Sequence, residues 1–104
     1  MVKRVRGSKT GRPIMVLLDL LGRRWVLRIV WELRENPRRF RDLQDAIGAS
    51  PTIVNSRLAD LREARLVELD AEEGYRLTAL GKELLRLFLP LHVWSEKWVK
   101  AAST

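Results

Sequence analysis

Apolar residues fall into five helix-like blocks and one pair of short strand-like runs, punctuated by glycine, proline and charge. Pro13 suits a first helical position. Ile14, Met15, Val16, Leu17, Leu18, Leu20 and Leu21 follow with only Asp19 charged, until Gly22 ends the block. A helix apolar on nearly every side has to be covered on most of them. Residues 23–34 predict a second helix carrying Trp25, Val26, Leu27, Ile29, Val30, Trp31 and Leu33, stopped by Asn36 and Pro37. Phe40, Leu43, Ala46 and Ile47 keep helical spacing in a short third helix. Gly48 and Ala49 then supply a tight turn, and Ser50-Pro51 opens a fourth helix.

In that fourth helix Val54, Leu58 and Leu61 recur at i, i+4 and i+7 and define an inward face, leaving Thr52, Ser56 and Ala59 opposite, with Asn55 and Asp60 beside them. The runs 66–69 and 75–78 are β-prone and flank Asp70, Ala71, Glu72, Glu73 and Gly74, a pattern that predicts a hairpin with a short acidic tip. From about Ala79 to residue 100, Leu80, Leu84, Leu87, Leu91, Trp94 and Trp98 alternate steps of four and three, the seam of a coiled coil. Pro90 inside this helix predicts a kink between Arg86 and Pro90.

The 104 residues hold 20 Lys plus Arg against 13 Asp plus Glu, a net charge of +7 that favours polyanionic partners. Lys3, Arg4, Arg6, Lys9 and Arg12 crowd the first residues, which lack apolar periodicity, so residues 1–12 read as a mobile basic arm and 13–104 as one folded domain. A second basic concentration spans Arg23 to Arg65. The absence of cysteine removes thiolate metal sites, cysteine nucleophiles and thiol redox sensing. His92 has no second His or Cys to complete a metal site. No apolar stretch approaches the ~20 residues that span a bilayer, and no secretory leader is legible, so a cytoplasmic protein, nucleoid-associated when bound to DNA, is expected.

Two short helices joined by a tight turn, with polar residues on the outer face of the second, suit insertion into a DNA major groove. Thr52, Asn55 and Ser56 are the expected base readers, Asn55 because its amide pairs bidentately with adenine. Ser50 caps the helix whose remaining first-turn amides attract phosphate. Arg38, Arg39 and Arg41, at the entry of the third helix, are expected on the DNA backbone. Arg57 lies at the flank of the buried face and fits either a backbone contact or an internal ion pair, while Asp60 and Glu63 are spaced for local pairs with arginines.

The fold class expected is mainly α with a small β-hairpin wing, a winged helix-turn-helix. Several segments sharpen this: Leu20-Leu21-Gly22-Arg23-Arg24-Trp25, Pro37-Arg38-Arg39-Phe40, Ser50-Pro51 with Arg57-Leu58 and Leu61, Leu66-Val67-Glu68, and Tyr75-Arg76-Leu77-Thr78 with Leu80-Gly81. Over residues 14–98 the chain resembles the HxlR-type winged helix regulators of the MarR-like superfamily. The resemblance implies a bacterial or archaeal transcriptional regulator that binds DNA as a homodimer, paired through its first and last helices. Leu17, Leu84, Leu87, Leu91, Trp94 and Trp98 are the expected dimer contacts, and both helices do carry more apolar surface than a small monomer leaves exposed. Two departures bear on what carries over: the wing is short and acidic where relatives have a longer, proline-containing one, and the cysteine with which many relatives sense oxidants is missing.

Plainer readings stand beside these. A winged helix also serves as a protein-binding adaptor without specific DNA binding. Trp25, Trp31, Trp94 and Trp98 are first of all core and interface packing, although Trp94 and Trp98 near Pro90 and His92 would also make a cleft between protomers for a small, flat aromatic effector. No cofactor is expected. No phosphate-cradling glycine loop, Ser-His or Cys-His arrangement or paired-carboxylate site speaks for an enzyme.

Overall fold

The computed structural model describes residues 11–103; the expected basic arm lies almost entirely outside them. Five helices and one hairpin follow in the expected order: α1 (Pro13–Leu21), α2 (Val26–Glu32), α3 (Phe40–Ile47), α4 (Pro51–Glu63), β1 (Val67–Asp70), β2 (Gly74–Leu77) and α5 (Ala79–Ala102).

Helix α2 is the centre of the packing and touches α1, α3, α4 and α5. Its Val26, Ile29 and Val30 are fully buried and meet Leu43 of α3, Val54, Leu58 and Leu61 of α4, and Leu85 of α5 in one cluster. The apolar pattern of residues 23–34 predicts a longer helix than the one observed. Trp25 adopts a left-handed backbone (φ 81) that no helix accommodates, so α2 begins only at Val26. This reversal turns the chain between α1 and α2 and lays the Trp25 ring against the core with the Arg24 guanidinium 4.6 Å from its centre.

The hairpin pairs Val67 with Leu77, Glu68 with Arg76, Leu69 with Tyr75 and Asp70 with Gly74. Arg38 adds a bridge to Tyr75, exchanging two backbone hydrogen bonds of 2.9 and 2.8 Å, so the segment before α3 is tied to the outer side of β2. Gly74 makes this possible: its φ is 98, and a Cβ there would stand 2.6 Å from the Arg38 carbonyl oxygen. Thr78 then caps α5, its Oγ1 accepting from the Gly81 amide (3.0 Å) and donating to the Arg65 carbonyl (2.7 Å).

Helix α5 runs unbroken through Pro90. Its core-facing row is Gly81, Leu85 and the half-buried Phe88, continued by the exposed His92, whose ring lies 5.3 Å from that of Trp31. That row sits one residue, about 100°, round the helix from the expected seam. Of the seam, Leu84 is half-buried against the core, whereas Leu87 is 78% exposed and Leu80, Leu91, Trp94 and Trp98 are all exposed. Trp94 and Trp98 stack on each other, 6.2 Å apart. On α1, Val16 and Leu20 are buried and Leu17 is half-buried, while Ile14, Met15 and Leu18 face outward. No helix among the described residues is long and apolar enough to cross a membrane.

Candidate nucleic-acid interface

The turn between α3 and α4 is made by Gly48, whose φ of 73 lets the chain leave α3 at once. Ser50 then adopts an extended backbone, and its Oγ accepts a 3.3 Å hydrogen bond from the Ile53 amide. Pro51 follows at the first helical position, where its missing N–H costs nothing. With Val54, Leu58 and Leu61 driven into the core, the opposite side of α4 is fixed toward solvent. Thr52, Asn55 and Ser56 are exposed there and make no side-chain hydrogen bond among the described residues. These polar groups sit free beside a helix end that carries partial positive charge.

The basic residues of this region divide into engaged and free. Arg38 is turned inward: its Nε donates to the Glu32 carbonyl (2.9 Å) and its guanidinium stands 3.6 Å from the Glu32 carboxylate. Arg39, exposed, donates to the carbonyl of Glu72 at the wing tip. Arg41 is exposed and has no side-chain partner among the described residues. Of the two roles open to Arg57, the structure shows the ion pair: its NH1 lies 2.8 Å from Asp60, whose other oxygen meets Arg23 at 3.0 Å. Asp60 therefore joins α4 to the turn after α1.

The wing is ordered by its own charges. The Asp70 carboxylate accepts from the amides of Glu73 (2.8 Å) and Glu72 (3.0 Å), and these bonds, with Arg76 nearby, hold its pKa below the ordinary 3.8. Arg76 pairs with Glu68 at 2.7 Å across the strands. The tip keeps Asp70, Glu72 and Glu73 exposed or half-exposed, an acidic end that DNA phosphates repel. Within one chain the His92 ring turns toward Trp31, while Trp94 and Trp98 stack on each other.

Sequence reasoning missed Arg62 and Arg65, exposed cations at the far end of α4. The signal was present: Arg62 is i+7 from Asn55 and shares its side of the helix.

With this helix-turn-helix and hairpin in place, residues 20–103 match the model of the HxlR-like helix-turn-helix family. This chain belongs to the HxlR family. Among its relatives, the HTH-type transcriptional regulator Rv3095 of Mycobacterium tuberculosis is 32% identical, with 92% of this chain and 62% of that protein aligned. The chain thus spans less than two thirds of that relative's length. The quinone-bound structure of YodB from B. subtilis superposes with a TM-score of 0.74 at 30% identity, covering 83% of this chain and 98% of that one. A possible HxlR family transcriptional factor from Thermoplasma volcanium superposes with a TM-score of 0.76 at 28% identity over 86% of each chain. As an HxlR-type member, the chain has the winged helix-turn-helix fold of a transcription regulator family.

Proposed function

We propose that the protein is a sequence-specific regulator that binds a pseudo-palindromic operator as a homodimer, with each α4 in one of two successive major grooves about 34 Å apart. One observation carries the reading: Thr52, Asn55 and Ser56 form an exposed polar row without partners among the described residues, at the start of a capped helix whose other side is locked in the core. Polar side chains held outward on a rigid helix suit base edges. The Ser50 end and Arg41 take phosphates, and Arg39 reaches a phosphate by releasing the Glu72 carbonyl. Pairing runs through the outward faces of α1 and α5, where Leu18, Leu87, Leu91, Trp94 and Trp98 stand exposed. The quinone held by the similar YodB suggests a flat aromatic effector as well, one that a chain without cysteine would have to hold by stacking and hydrogen bonds.

Asn55→Ala tests the reading. It is expected to cost about 1–3 kcal/mol on the preferred duplex and to relax discrimination at one base pair. Anisotropy titrations against selected and random duplexes measure both, and an equal loss on the two would exclude base reading. The acidic wing tip favours a second reading, a protein-binding adaptor, and absence of DNA binding by the wild-type chain at low salt would select it.

A further inference from the structure

An open cleft of about 850 Å³ lies between the C-terminal end of α4, strand β1 and the first turn of α5. Ala59 lines it, and Ala59 stands at i+7 from Thr52 and i+3 from Ser56, so the cleft continues the outward face of α4. Arg62 and Arg65 border it, both exposed and both without an ion pair or side-chain hydrogen bond among the described residues. Of the two carboxylates at its edge, Glu68 is held by Arg76, which leaves Glu63 against two free guanidinium groups. The unpaired balance is positive. Leu69 and Leu80, both exposed, give the cleft apolar walls.

The backbone at Arg65 is a second, independent pointer. Its φ is 63, and the Leu66 amide closes onto the Leu61 carbonyl at 2.9 Å, a helix ending that favours glycine. A cation standing where the backbone alone would favour glycine points to a task for its side chain. Helix α4 also has the right length. Residues 51–63 rise about 18 Å along the axis, against a major groove about 12 Å wide. With the Ser50 end at one phosphate wall, the Arg62 end reaches the opposite wall.

We propose that this cleft is a track for the phosphodiester backbone of one DNA strand, gripped by Arg62 and Arg65. The proposal rests on the DNA-binding reading above and extends it to the second wall of the groove. An open channel suits a continuous strand, whereas a small ligand needs a pocket that encloses most of its surface.

The test is a salt series of anisotropy titrations on a duplex selected from a random pool and on an unselected duplex. Arg65→Gly relieves the left-handed backbone, so Tm is expected to hold or rise while the slope of log K against log salt becomes shallower by about 0.9 on both duplexes. Adding Arg62→Gln should make it shallower by about 1.8 in all. Lys100→Gln, at the far end of α5, should leave the slope unchanged. An unchanged slope in Arg65→Gly, or an equal loss in Lys100→Gln, overturns the track. A loss confined to one base pair of the selected duplex overturns it too, by making Arg65 a base reader. Saturable binding of benzoate that Arg65→Gly abolishes, with the DNA slope unmoved, makes the cleft an effector pocket instead. A wild-type chain that binds neither duplex overturns the DNA-binding reading itself.

Discussion

Single residues show most directly how backbone geometry sets up this surface. Gly74 is the closest approach in the wing: its left-handed φ and the 2.6 Å that a Cβ would leave to the Arg38 carbonyl make any side chain a double penalty. Gly74→Ala should therefore lower stability by about 1–3 kcal/mol and loosen the Arg38–Tyr75 bridge. Urea unfolding with hydrogen exchange at the Tyr75 amide checks this, and unchanged protection would mean that the bridge tolerates a methyl group. The exposed polar row on α4 was legible from sequence because the i, i+4, i+7 spacing of Val54, Leu58 and Leu61 leaves one orientation for Thr52, Asn55 and Ser56. The state of Arg39 was not legible, since its partner, the Glu72 carbonyl, is 33 positions away and is brought near only by the hairpin. Arg38 is similar: the backbone bridge to Tyr75 fixes the segment from which its side chain turns to Glu32.

At the level of elements, the order of helices and hairpin follows from apolar periodicity and punctuation, while the joints between them do not. Trp25 continues the apolar run of Val26 and Leu27, so the pattern carries α2 back to a point where the turn from α1 places a left-handed residue, Trp25 itself. The seam of α5 is likewise real as a pattern, but the core selects the adjacent row because Gly81 allows α5 to cross the Leu66 carbonyl, where a Cβ would come within 2.1 Å. The joint between α4 and the α1–α2 turn rests on Asp60, which stands between Arg23 and Arg57, all three half-buried. Arg57 Nε is buried without a hydrogen-bond partner among the described residues, so losing the carboxylate leaves two arginines facing each other with fewer acceptors. Asp60→Ala should cost about 1 kcal/mol of stability, a modest value because water still screens the pair. In a double-mutant cycle with Arg23→Gln the two losses should not add, and strict additivity would show that the contact carries no coupling.

For the whole molecule, the decisive asymmetry is between a core centred on α2 and an apolar surface left open on α1 and α5. Ile14, Leu18, Leu87, Leu91, Trp94 and Trp98 together form more exposed apolar surface than an isolated domain of this size usually leaves uncovered. Leu87→Glu should give a folded monomer in sedimentation, because Leu87 makes little contact with its own core; a variant that stays dimeric would move the pairing surface elsewhere. The proposed pairing has one more outcome. A lone protomer keeps the stacked Trp94 and Trp98 wet, so by mass action the chain holds its shape best where it is already abundant. Scarce copies would stay folded on the α2 core but lose that added margin, and so would be the ones most open to proteolysis.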